Sequence, residues 1–140
     1  VRNFLLSANA PNLGLLVLRV GIGAMFIAHG MPKLMGGQET WAWLGSQMQI
    51  FGISFGFRTF GLMAALAETA GGLFLIFGLL TRITSFFMFF TMVTATAFHL
   101  AAGDGFMGSA HPIELGIVFL SFMIMGAGKF SLDNLLFYKK

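Results

Sequence analysis

Apolar residues fall in four long runs, each broken from the next by glycine, proline or charge, and the runs predict four helices of membrane-spanning length. The first covers residues 12–30, and Pro32 just beyond it disfavours further helix because it lacks an amide donor and restricts the residue before it. The second covers 60–80. A turn of a few residues around Thr81 and Arg82 leads into the third, 83–102, so these two helices are antiparallel neighbours. Residues 103–108, with Asp104 among glycines, read as a turn. The fourth span covers 109–128, with Pro112 in its first turn, where a missing amide costs little.

The only long connection, residues 31–59, mixes Trp41, Trp43, Phe51, Phe55 and Phe57 with polar residues and glycines. Indole rings favour the headgroup level of a bilayer, so this segment predicts a short interfacial helix near 39–50 lying flat over the mouth of the bundle. A poorly ordered loop is the alternative. The fold class that follows is all-α, an integral membrane four-helix transmembrane bundle forming one domain over residues 1–140.

Composition agrees: 57% of residues are hydrophobic, 9% are charged and the mean hydropathy is +0.87, far from the balance of a water-soluble domain. The first run starts behind Arg2 in the manner of a signal peptide, but it continues to Ala28 with Arg19 inside it, and we read it as a span. Cysteine is absent, which excludes disulfides, thiol chemistry, Cys-ligated clusters and covalently attached haem for the chain alone. A redox role would need a borrowed cofactor. The net charge of +3 comes from Lys and Arg scattered at helix ends, which suits membrane topology and not a nucleic-acid patch. Arg2, Arg82, Lys129, Lys139 and Lys140 fall on the side of both termini and Lys33 and Arg58 on the other, so the positive-inside rule expects a bacterial inner-membrane protein with cytoplasmic termini.

Six ionisable residues lie in or beside the spans: Arg19, His29, Glu68, His99, His111 and Glu114. An ionisable group at mid-membrane costs roughly 2.5–3.5 kcal/mol on insertion scales, so each is expected to face the interior and find a partner. Depths counted along the spans bring Arg19 and Glu68 within reach and suggest a mid-bilayer ion pair. Gly23, Gly71 and Gly72 share faces with these residues, and small residues allow tight helix packing. At the outer mouth His29, His99 and Glu114 reach a common depth, with His111, Lys33 and Asp104 near them. Such a cluster could hold a polar headgroup such as a quinone carbonyl, or relay protons. It could equally be architectural, its histidines bonding carbonyls or water and Glu114 favouring a helix N-terminus. No spacing points to a metal site, and bis-His haem ligation by His29 and His99 is disfavoured so close to the bilayer edge. Ten methionines and eighteen phenylalanines, including the FFMFF run at 86–90, serve packing, acyl chains or a partner subunit.

The runs Leu18-Arg19-Val20-Gly21, His29-Gly30 and Lys33-Leu34 resemble the first-helix pattern of the DoxX family of small membrane proteins. Glu68, Gly71-Gly72, Gly78-Leu79 and Thr81-Arg82 resemble that family's E-x-x-G-G…G-x-x-T-R pattern; His99 fits its third helix. Residues 126–133, Gly-Ala-Gly-Lys-Phe-Ser-Leu-Asp, resemble its G-x-G-x-x-S-x-D ending. The resemblance implies kinship with membrane subunits of quinol oxidases and thiosulfate:quinone oxidoreductases. It therefore implies an accessory subunit packed against larger cofactor-bearing subunits and the lipid bilayer, with a homo-oligomer as a further option. A quinone-reactive subunit with its own proton-transfer groups at His29, His99 and Glu114 is a second reading, and a path for a small solute or protons a third.

Overall fold

The computed structural model describes residues 9–138; of the basic residues counted for orientation, Arg2, Lys139 and Lys140 lie outside them. Among the described residues four helices are long and apolar enough to cross a membrane: α1 (Ala10–Met35), α3 (Phe57–Phe77), α4 (Thr81–Ala101) and α5 (Gly105–Met125). A short α2 (Gly37–Ser46) with a 3-10 turn (Gln47–Phe51) joins α1 to α3, and α6 (Leu132–Phe137) follows α5. There is no strand among these residues, and the fold is the four-helix bundle with a shorter helix between the first two spans. A 21-residue helix is about 31 Å long, close to the thickness of a hydrocarbon core.

Each span buries one stripe at spacings of three and four. On α1 the buried positions are Arg19, Gly23, Phe26 and Gly30; on α5 they are Ser109, Pro112, Gly116, Phe119 and Phe122. The apolar side chains on the other faces are left to lipid, which is why most large hydrophobics are exposed in the isolated chain. Helix α1 packs on α3, α3 on α4 and α4 on α5. Phe26 and Phe119 close the ring edge to face, centroids 4.9 Å apart. Gly23 and Gly72 let the backbones of α1 and α3 approach closely: a Cβ on either would stand within 2.6 Å of the other's carbonyl oxygen. Gly71 faces α4 instead, beside Met88.

Every span starts earlier than the sequence expectation, whereas the first ends later and the other three end earlier. Helix α1 runs through Pro32 to Met35. Only one backbone hydrogen bond is lost there, and the last turn is secured by the ion pair of Lys33 and by the Trp41 Nε1 donor on the Lys33 carbonyl, 3.1 Å. The turn between the second and third spans lies at 78–80 and not at Thr81–Arg82, because Gly78 takes a left-handed conformation and ends α3. Helix α5 begins at Gly105, so Pro112 lies inside the helix and residues 105–108 are helical. Asp104 precedes that helix without capping it, its carboxylate being engaged by His99.

Helix α2 covers the start of α3 at very short range. A Cβ on Gly45 would collide with the Phe57 carbonyl, and one on Gly61 with the Trp41 carbonyl. The following 3-10 turn buries Met48 and reaches α4, and Trp43 meets Phe98 of α4 with ring centroids 6.3 Å apart. This segment is a lid seated on one end of the bundle, the mouth.

Candidate functional site

Beneath the mouth lies a cavity of about 160 Å³ lined by Phe26, His29 and Lys33 of α1, Glu68 of α3, Met92, Ala95 and His99 of α4, and His111, Pro112 and Leu115 of α5. All four spans contribute. Its polar wall centres on an ion pair: Lys33 Nζ donates to both carboxylate oxygens of Glu68, each at 2.6 Å. The Glu68 side chain is 4% exposed and that of Lys33 35% exposed, so a nearly dry carboxylate is neutralised by a cation that snorkels to the bilayer edge. Glu68 sits on α3's buried stripe between Ala65 and Gly71, and the extension of α1 past Pro32 places Lys33 one turn beyond His29.

His29, Lys33, Glu68, His99 and His111 thus share one cavity. Glu114 does not. It lies two residues beyond buried Pro112 and two before buried Gly116, a spacing that turns it to the opposite, exposed side of α5. A common depth along the spans takes no account of rotation about the helix axis. His99 is engaged laterally, its Nδ1 2.6 Å from Asp104 Oδ2. Among the described residues no three or more His, Asp or Glu side chains converge to hold a metal ion.

The expected Arg19–Glu68 ion pair is not formed. Arg19 is wholly buried, and its guanidinium points away from the mouth toward the C-terminal end of α3. Nη1 donates to the carbonyls of Leu75 (3.4 Å) and Ile76 (3.5 Å), and Nη2 to the carbonyl of Phe130 (2.5 Å). Leu75 is two turns from Glu68 along α3, about 10 Å, so the two charges serve different parts of the helix, Glu68 its middle and Arg19 its C-terminal end. A cation at a helix C-terminus meets the negative end of the macrodipole and carbonyls that lack intrahelical donors.

Asp133, which the sequence reading left without a role, completes this second network. Its two oxygens accept from the amides of Leu80 (2.6 Å) and Thr81 (2.9 Å) at the start of α4, its own amide donates to the Gly78 carbonyl (2.8 Å), and its charge interacts with Arg19. Ser131 accepts from the Asn134 amide (3.1 Å) and starts α6. The signal was present in the terminal S-x-D pattern, a combination suited to capping.

The family model DoxX matches residues 14–101. Inner membrane protein YqjF of Escherichia coli (strain K12) is 34% identical over 128 residues, covering 89% of this chain and 93% of that protein. Inner membrane protein YphA of the same organism is 28% identical over 145 aligned positions, 96% of this chain and 97% of that protein. A Bacillus subtilis (strain 168) protein named "Putative oxidoreductase CatD" is 36% identical over 84 residues, 59% of this chain and 57% of that protein. No solved structure matches.

Proposed function

Because the chain belongs to the DoxX family, we propose that it is an inner-membrane accessory subunit of a quinone-linked electron-transfer complex, with both termini in the cytoplasm. The observation that carries this reading is the mouth cavity, polar on one wall through Lys33–Glu68 and the histidines and apolar on the other through Phe26, Met92 and Leu115. Its volume is well below the ~300–1,000 Å³ of sites that enclose drug-sized ligands, so it suits a small ring or headgroup entering from the bilayer. Quinone carbonyls accept hydrogen bonds, and Lys33 Nζ and the imidazole nitrogens are the donors at hand. The quinone itself would supply the electron chemistry; this chain's residues would orient its head and exclude water. The names of the two inner-membrane relatives support the location, and the oxidoreductase wording in the CatD name supports the redox association.

Native membranes solubilised in mild detergent should yield the protein together with a larger redox complex, and Lys33→Met should lower the quinone-dependent turnover of that complex per unit of assembled protein. Recovery of the chain only as a self-contained oligomer would count against the reading. Orientation has its own test. The absence of cysteine makes single substitutions clean labels, and a membrane-impermeant thiol reagent applied to intact spheroplasts should modify Ser54→Cys at the mouth but not Lys129→Cys at the other end.

A second reading, direct participation in proton transfer, is favoured by the 2.6 Å His99–Asp104 contact at the rim above buried Glu68. Here Glu68→Gln should slow turnover, whereas Glu114→Gln, facing away from the cavity, should not.

A further inference from the structure

At the end of the bundle opposite the mouth, the start of α4, the end of α5 and helix α6 enclose a cleft of about 480 Å³, three times the size of the mouth cavity. Three features define its chemistry. First, Arg82 lines it with a guanidinium that makes a single hydrogen bond among the described residues, Nη2 to the Ile124 carbonyl at 3.2 Å, leaving its other donors uncommitted. Second, Thr81 lines it, wholly buried, with a hydroxyl that has no hydrogen-bond partner. Third, the rest of the wall grades from polar to apolar: Asn134 on α6 and Tyr138 just after it, then Ile83 and Met125, which are 57% and 52% exposed along the sides of their spans.

The one carboxylate in the cleft is Asp133. Both of its oxygens are already held by the Leu80 and Thr81 amides, and among the described residues it forms no ion pair or hydrogen bond with Arg82, which donates to the Ile124 carbonyl instead. It therefore does not satisfy Arg82. Lys129, exposed one residue beyond Gly128 of the cleft wall, adds a second cation nearby.

Arg82 stands at the first turn of a span, where headgroups lie, and a cation there beside an apolar slope matches an amphiphile with a negative head. We propose that this cleft binds an anionic phospholipid, its phosphate held by Arg82 and the Thr81 hydroxyl and one acyl chain descending along Ile83 and Met125. A guanidinium presents paired donors to phosphate oxygens. The basic residues at this end also match the anionic cytoplasmic leaflet. The proposal is independent of any function at the mouth.

The test uses the full chain in nanodiscs of phosphatidylcholine with an equal share of phosphatidylglycerol, followed by native mass spectrometry of the lipids that remain bound. Phosphatidylglycerol should be retained over phosphatidylcholine about fivefold, the ratio expected for one basic residue near an anionic surface. Arg82→Gln should bring the ratio close to one, Arg82→Lys should keep part of it, and Arg58→Gln at the far end should leave it unchanged. Excess inorganic phosphate should not displace the lipid. Equal retention of both lipids by the unsubstituted protein overturns the proposal, whether or not any variant accumulates. Full selectivity in Arg82→Gln overturns it as well, and displacement by inorganic phosphate would assign the cleft to a free anion.

Discussion

Two buried charges in this bundle are stabilised by different means. Glu68 has a formal counter-charge in Lys33, whereas Arg19 is surrounded mainly by peptide carbonyls at a helix end. The first arrangement makes a clear prediction. Removing Lys33 leaves a nearly dry carboxylate alone, and breaking a fully buried pair in this way costs about 3–5 kcal/mol; with Lys33 partly in water the expected loss is about 1–3 kcal/mol. Lys33→Met should lower the unfolding midpoint in detergent, and adding Glu68→Leu should restore most of it. Additive losses in that double-variant comparison would show that the two side chains are not coupled. Around Arg19, a methyl group on Gly78 would meet the guanidinium, and its φ of +64° disfavours a side chain in any case. Gly78→Ala should therefore destabilise by about 1–3 kcal/mol, whereas Gly14→Ala, with open space around it, should be neutral or gain up to about 1 kcal/mol from helix propensity. Equal effects at both positions would contradict the packing described.

At the scale of elements, the hydrophobic pattern made the four spans and the lid helix legible, because lipid demands long apolar runs and every backbone group bonded within its own segment. Their limits were less legible. Pro32 and Pro112 look like boundaries, yet both lie within helices whose ends are secured by side-chain contacts that hydrophobic pattern does not show: Trp41 and Glu68 for α1, and the His99–Asp104 contact before α5. The continuation of α1 past Pro32 puts Lys33 on a helix, which is why a reading that ends this span at residue 30 pairs Glu68 with the wrong cation, and Glu114 turns outward by its own position between Pro112 and Gly116. Depth along a span can be counted from sequence; azimuth around it depends on the neighbours. Lid seating is open to test. Gly61→Ala would push its Cβ into the Trp41 carbonyl, so α2 should lift from α3 and tryptophan emission should shift to the red. An unchanged spectrum with unchanged stability would mean that the crossing tolerates more space than its geometry suggests.

Considered whole, the molecule has a different architecture at each end. The mouth end carries α2 seated on α3 and a small cavity between the four spans with an ion pair on its wall; the opposite end is a knot of backbone contacts in which Arg19, Gly78, Leu80, Phe130 and Asp133 join the first span, the turn between the second and third, and the segment after the fourth. That knot also has a bearing on biogenesis. Arg19 lies on the first of the four described spans, but its shortest hydrogen bond is to a carbonyl 111 positions further along the chain. Membrane insertion proceeds from the N-terminus, so during synthesis the helix that carries Arg19 must wait with a cation incompletely satisfied until the other three spans and the segment after them have emerged. Chains ending at residue 125 should accordingly insert and then be degraded quickly. Replacing Arg19 with Leu in the shortened chain should lengthen its half-life in pulse-chase labelling, so that this arginine acts as a marker by which quality control distinguishes finished bundles from unfinished ones.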